Sequence, residues 1–245
     1  MMKNLQNKIA ENMLFVTEFA VLVFCVFLAA YLIEKRIDRR KGERERILST
    51  GKVAMIGIFS AVSAVLMTIE VPVPFAPPFY KIDLSELPIL IITFAYGPVA
   101  GVMTELVKIL LKLVIKSTST AFVGELANFM VGCALILPAG VVYLRKKTRS
   151  MAVVACAVGI VCMTVFGSLL NAVYLLPKFA ALYGIPLETI IGMGTAINPG
   201  ITSVETMALF AVAPLNLLKG GIVSLLTVLL YKRLSPILKA RGRRG

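Results

Sequence analysis

The chain has 245 residues, 58% of them apolar, a mean hydropathy of +0.89 and only 16% charged residues, against roughly 25% charged in a soluble domain. That balance identifies an all-α integral membrane protein. The net charge of +13 sits in short basic blocks between apolar runs, an arrangement that suits membrane lipids and argues against a nucleic-acid partner.

The first apolar run, MLFVTEFAVLVFCVFLAAYLI at 13–33, is as long as a spanning helix needs to be and lacks a basic leader or small-residue cleavage signature. It reads as a retained helix, with Glu18 inside it unexplained. A basic stretch follows, and a second run covers 51–69. The segment EVPVPFAPPFYKIDLSELP, 70–88, holds five prolines, two phenylalanines and a tyrosine. Proline stiffens it and removes backbone donors, so it can serve as a largely preformed apolar lid or as a rigid connector. The run 84–116 is too long for one crossing and has YGPVAG at its centre, which predicts two helices joined by a tight turn. Its Glu105, Lys108, Lys112 and Lys116 recur at i+3 and i+4 spacing and read as an internally paired, snorkelling face. Further spans are expected at 122–144, 151–176 and 214–231. The last is started at Pro214, which suits a first helical turn; a start near 203 would bury Lys219 more deeply. The stretch 177–213 is then a long connection containing a short helix.

Lys and Arg number eight in 34–52, four in 145–149 and six in 232–244, against five on the opposite side: Lys3, Lys8, Lys81, Lys116 and Lys178. The positive-inside rule therefore predicts a multi-pass plasma-membrane protein with its N-terminus outside and C-terminus cytoplasmic.

In that orientation Glu125 and Asn128 of GELANF, Asn171 of SLLNAVY, and Asn216 and Lys219 of APLNLLKGG all fall near the outer ends of three helices. A lysine inside a span costs about 2.5–3.5 kcal/mol at the bilayer centre. Amides, a cation and the lid aromatics together describe a pocket for a flat heterocycle bearing carbonyl and N–H groups; taken singly, each Asn could be interhelical glue and Lys219 could snorkel. Candidate contacts are Asn216, Lys219, Asn171, Asn128 and Glu125, with Phe75, Pro77, Phe79 and Tyr80 from the lid.

Catalytic patterns are missing. The chain has no GxxxxGK[ST], no GxSxG, no histidine, and only Asp38 and Asp83 as aspartates. It is expected not to be an enzyme and to need no metal or cofactor; the four cysteines read as packing residues. No repeated halves are visible, so a binding subunit driven by partners fits better than a self-sufficient transporter. The alternative is a stand-alone secondary transporter of a vitamin. Gly57, Ala61 and Ala64 form a small-residue stripe suited to a partner helix or to packing within the bundle.

The stretches PFAPPFYKIDLSELP, GPVAGVMTELVK, GELANFMVG, GTAINPGIT and APLNLLKG, in this order, resemble the riboflavin-specific substrate-binding (S) subunits of energy-coupling factor (ECF) transporters. The resemblance runs from about Lys52 to Leu238. It implies a six-transmembrane-helix bundle, here with one extra N-terminal helix. The expected organisation is an extra helix and basic linker in 1–50, a substrate-binding domain in 51–238 and a basic tail in 239–245. It further implies that Asn216, Lys219 and Asn171 contact the flavin, that the stripe on the second helix meets a transmembrane coupling subunit, that two ATPase subunits supply the energy, and that the subunit topples to release its vitamin. Riboflavin is named by the resemblance alone; the residues by themselves do not exclude thiamine or biotin. Flavin mononucleotide is a further conceivable ligand, since Lys112 and Lys116 could face a phosphate.

Overall fold

A computed structural model describes the backbone of residues 2–41, 49–118 and 122–242, and the side chains of 13–40, 49–118 and 122–230. The basic side chains of 41–48 and 232–244, and those of the 239–245 tail, lie outside the described residues.

Ten α-helices are present among these residues: α1 (Met2–Lys41), α2 (Thr50–Thr68), α3 (Glu86–Tyr96), α4 (Pro98–Ile115), α5 (Val123–Arg145), α6 (Arg149–Leu170), α7 (Leu176–Tyr183), α8 (Leu187–Thr195), α9 (Val204–Met207) and α10 (Ala213–Gly242). Those long and apolar enough to cross a membrane lie in 13–40, 50–68, 123–145, 149–183 and 204–230. The expected break in 84–116 is present: Gly97, at φ +100°, separates α3 from α4, a backbone conformation open to glycine. Pro98 then opens α4, where its missing N–H breaks no helical bond.

Two boundaries differ from the sequence expectation, and for one reason. The helix expected to end near 176 continues through a π turn, Asn171–Leu175, into α7, and the last helix begins at Val204 instead of Pro214, passing through a second π turn, Ala208–Val212. Each π turn ends two residues before a proline, Pro177 or Pro214. A proline cannot donate to the carbonyl four residues back, and its ring crowds that carbonyl. Widening the preceding turn, with Leu176 N–H bonded to Asn171 O and Ala213 N–H to Ala208 O, absorbs the misfit without ending the helix. The connection between them shortens accordingly to 184–203, with α8 inside it.

The main core is centred on α5, whose Leu126, Phe129, Leu135, Ile136 and Ala139 are fully buried against α3, α4 and α6. A second, smaller core lies at one end of the bundle. There the lid folds into a two-stranded antiparallel ladder, β1 (Val71–Pro72) with β2 (Lys81–Ile82), pairing Val71 with Ile82 and Pro72 with Lys81. Its Val73 and Ala76 pack on Leu176, Ile190, Ile201, Met207 and Ala211. This lid end is opposite the basic end, where Glu34 lies in the combined field of Lys52 and Lys147.

Candidate functional site

Beneath the lid lies a cavity of about 160 Å³. It is bounded by Phe79 and Tyr80 of the lid, Asn128 and Val131 of α5, Asn171 and Leu175 of the first π turn, Phe179 of α7, Val212 of the second, and Asn216 and Lys219 of α10. Both π turns thus flank the cavity.

The three amides have different bonding. Asn128 Nδ2 donates to Gly124 O at 2.9 Å. Asn171 Nδ2 donates to Gly167 O at 2.9 Å, while its Oδ1 accepts from the Tyr80 hydroxyl at 3.1 Å. Burial pushes the Tyr80 hydroxyl pKa up, so it remains a protonated donor. Asn216 is buried, and its Nδ2 has no hydrogen-bond partner among the described residues. That amide presses against α6 where residue 167 is glycine; a Cβ there would come within 2.6 Å of Asn216 Nδ2. A buried amide donor without a partner is a costly feature, on the order of 1–3 kcal/mol. Asn216 also borders the cavity.

Lys219 has found its partners already. Its ammonium stands 3.0 Å from Asp83 Oδ2 and 2.9 Å from Glu86 Oε2, and Glu86 also borders the cavity. Beside it Lys108 lies 2.5 Å from Glu105 Oε1, 3.4 Å from Glu86 Oε1 and 3.2 Å from Ser85 Oγ. Five charged side chains, Asp83, Glu86, Glu105, Lys108 and Lys219, are thereby buried in one connected network. Burial alone would raise the Asp83 carboxyl, but the ammonium groups of Lys219 and Lys108 hold it below the usual carboxylate range. Of the pairing expected along α4, Glu105–Lys108 is present, while Lys112 and Lys116 pair with other elements; Lys108 is fully buried and does not snorkel.

Of the other expected contacts, Glu125, Phe75 and Pro77 do not border the cavity. Glu125 turns toward α4, accepting from Lys112 Nζ at 2.6 Å and Thr118 Oγ1 at 2.9 Å, because a carboxylate one turn from Asn128 meets a lysine before it meets the cavity. Phe75 packs into the lid core, and the Pro77 carbonyl receives Tyr80 N–H at 2.9 Å, forming the turn that presents Tyr80. Lys112 and Lys116, expected to be open to a phosphate, are engaged: Lys112 by Glu125, and Lys116 by Glu70 at 2.7 Å. Glu70, held also by Lys81 at 2.7 Å, has its carboxyl lowered: burial pulls upward but the bonds from Lys116 and Lys81 outweigh it. On α2, Gly57 and Ala61 are exposed whereas Ala64 faces the interior.

A flat guest would find apolar walls, a ladder of aromatic rings at the mouth and amide donors and acceptors at depth. Phe79 stacks on Phe179 at 5.8 Å between ring centroids, and Phe179 on Tyr183 at 4.5 Å. The profile of the family "ECF transporter, substrate-specific component" matches residues 51–231. The chain belongs to this family. This S component is 33% identical over 188 residues to the riboflavin transporter RibU of Staphylococcus aureus (strain TCH60), covering 77% of this chain and 92% of that one. It is 29% identical over 186 residues to the riboflavin transporter FmnP of Bacillus subtilis (strain 168), at 76% and 92% coverage. A solved S component of a bacterial ECF transporter superposes with a TM-score of 0.59 at 34% identity, covering 77% of this chain and 97% of that one. In this S component α1 precedes the residues matched by the family.

Sequence reasoning missed Asp83 and Glu86 as partners of Lys219. The available signal was the acidic pair in IDLSELP at the entry to a buried hairpin, since a lysine inside a bundle must be neutralised nearby.

Proposed function

We propose that this S component binds riboflavin in the cavity under the lid and serves as the substrate-capturing subunit of an ECF importer. The observation that carries the reading is the buried Asn216 amide, whose Nδ2 has no partner among the described residues, in a residue that borders the cavity together with Asn171 and Asn128. The pyrimidine-dione edge of an isoalloxazine supplies carbonyl acceptors and an N–H for such amides, and its dimethylbenzene side suits Phe79 and Phe179. The relatives named as riboflavin transporters support the same ligand.

Lys219, caged by Asp83 and Glu86, supplies position and a residual donor instead of a free positive charge. With Lys112 and Lys116 also paired, the neutral vitamin is favoured over flavin mononucleotide. The lid end faces outward and the basic end inward, which the distribution of lysine and arginine supports. The exposed side of α2, with Ala54, Gly57 and Ala61 flanked by Val53, Ile58 and Val65, is smooth enough for close approach by a helix of the transmembrane coupling subunit. Two ATPase subunits complete the assembly, and toppling of the binding subunit delivers the vitamin inward.

Purified full-length protein mixed with riboflavin tests the ligand: quenching of flavin fluorescence at sub-micromolar concentration is expected, with no competition by thiamine or biotin. Well-folded protein that leaves riboflavin unquenched, or is stabilised only by another vitamin, overturns the reading. Riboflavin uptake into liposomes holding this chain alone would contradict the dependence on partner ATPases.

A further inference from the structure

Helix α1 lies outside the residues matched by the family profile, yet two of its carboxylates, Glu18 near its middle and Glu34 toward its C-terminal end, bind it to the body. At the basic end Glu34, only 3% exposed, accepts the Val99 N–H at 2.8 Å. It thereby caps the N-terminus of α4, where an anion is favoured. Sixteen residues earlier, about 24 Å along the helix, Glu18 accepts hydrogen bonds from the Tyr174 hydroxyl and, at 3.3 Å, from Lys178 Nζ. The Lys178 ammonium also stands 5.4 Å from the centre of the Phe15 ring of α1. Phe19 of α1 packs against Phe129 of α5 at 6.1 Å. The register of α1 is therefore set at two heights, and the otherwise unexplained acid in its apolar run has a definite partner.

That partner is placed inside the cavity wall. Tyr174 belongs to the π turn Asn171–Leu175, whose Asn171 and Leu175 border the cavity; Leu176 and Phe179, which follow in α7, border it too. A π turn has a widened bonding pattern and is held less firmly by its own backbone than an α-helical turn. Tyr174 tethers it to α1, and Asn171 tethers it to the lid through Tyr80.

We propose that Glu18 is a positioning residue of the ligand site: through Tyr174 it holds the π turn in the setting that presents Asn171 and Leu175 to the guest. Its effect on affinity rests on the riboflavin reading above; its effect on the π turn does not.

The test uses the full chain as wild type, Glu18→Ala, Glu18→Gln, Tyr174→Phe and the double variant Glu18→Ala/Tyr174→Phe. Hydrogen–deuterium exchange of amides 171–176 in ligand-free protein is expected to quicken about tenfold in Glu18→Ala and Tyr174→Phe. Riboflavin affinity is expected to fall about tenfold in the same variants, with no loss in the double variant beyond that of Glu18→Ala, since Glu18→Ala already breaks the Tyr174 contact. Glu18→Gln, which keeps an oxygen for the Tyr174 hydroxyl, should restore most of both signals, an outcome that general loosening of α1 would not give. Unchanged exchange at 171–176, or losses that simply add in the double variant, would overturn the proposal. If Glu18→Ala fails to fold, Tyr174→Phe, which removes a single hydroxyl, decides the question. Should the wild type bind no riboflavin, the functional reading fails and the exchange measurement alone decides the role of Glu18.

Discussion

Two sets of polar side chains meet at the lid end of the bundle, and they solve the problem of burial in opposite ways. The charged set, Asp83, Glu86, Glu105, Lys108 and Lys219, is held together by ion pairs of 2.5–3.4 Å. The amide set, Asn128, Asn171 and Asn216, bonds to its own helices and to the lid, and leaves Asn216 Nδ2 without a partner. A buried charge without an opposite charge is far more costly than a buried amide without an acceptor. The charges must therefore be matched within the chain at all times, whereas an amide can wait for a guest. The difference predicts that the charged set sustains the fold and orients α3, α4 and α10 around the cavity, and that the amide set reads the ligand.

The largest expected effect comes from breaking the charged set. Lys108→Met removes the cation shared by Glu86 and Glu105 and should cost on the order of 3–5 kcal/mol of stability, measured as the thermal midpoint in detergent without ligand. A midpoint near that of the wild type would mean the pairs are dispensable. Breaking the amide set should do the reverse. Asn216→Ala removes a side chain whose donor is unpartnered, so ligand-free stability should change little while riboflavin affinity falls by about 1–3 kcal/mol, read by fluorescence titration. If both variants shift stability and affinity alike, the two sets do not divide the work in this way.

Gly167→Ala sharpens the same contrast without replacing a residue of either set. Its Cβ would come within 2.6 Å of Asn216 Nδ2, so the amide must move and affinity should fall by about 1–2 kcal/mol, less than in Asn216→Ala. Tyr80→Phe removes one hydrogen bond to Asn171 and should cost about 0.5–1.5 kcal/mol in affinity. The smallest effect is expected from pH. Asp83 has its carboxyl held below its ordinary value of 3.8, so its contribution is fully present above that value and is lost only as pH falls through the lowered one. Stability and binding should accordingly be flat from pH 8 to about 5 where Asp83 is concerned; a titration of Asp83 near neutrality would contradict its pairing with Lys219.

Much of the architecture follows from patterns visible in the chain. YGPVAG marks the α3–α4 turn because glycine supplies the positive φ and proline the first helical residue. Convergence of Asn171, Asn216 and Lys219 is legible because polar residues at one depth on different helices need a common reason. Pro177 and Pro214 misled, since each reads as a helix boundary and each in fact sits just beyond a π turn inside a continuing helix. No local pattern separates those outcomes; the lid core packs on Leu176 just beyond the first π turn and on Ala211 within the second. The partners of Lys219 and of Glu18 were hidden for a different reason. Asp83 lies 136 residues from Lys219, and Tyr174 and Lys178 lie 156 and 160 from Glu18, and side-chain pairing over such separations leaves no periodic signal.

The most direct measurement is a fluorescence titration of riboflavin with the purified full-length wild type and Asn216→Ala, paired with their ligand-free thermal midpoints. A guest bound through the cavity amides gives sub-micromolar quenching by the wild type, clearly weaker quenching by the variant, and closely matched midpoints. Equal quenching by both proteins, or none by a folded wild type, would contradict it.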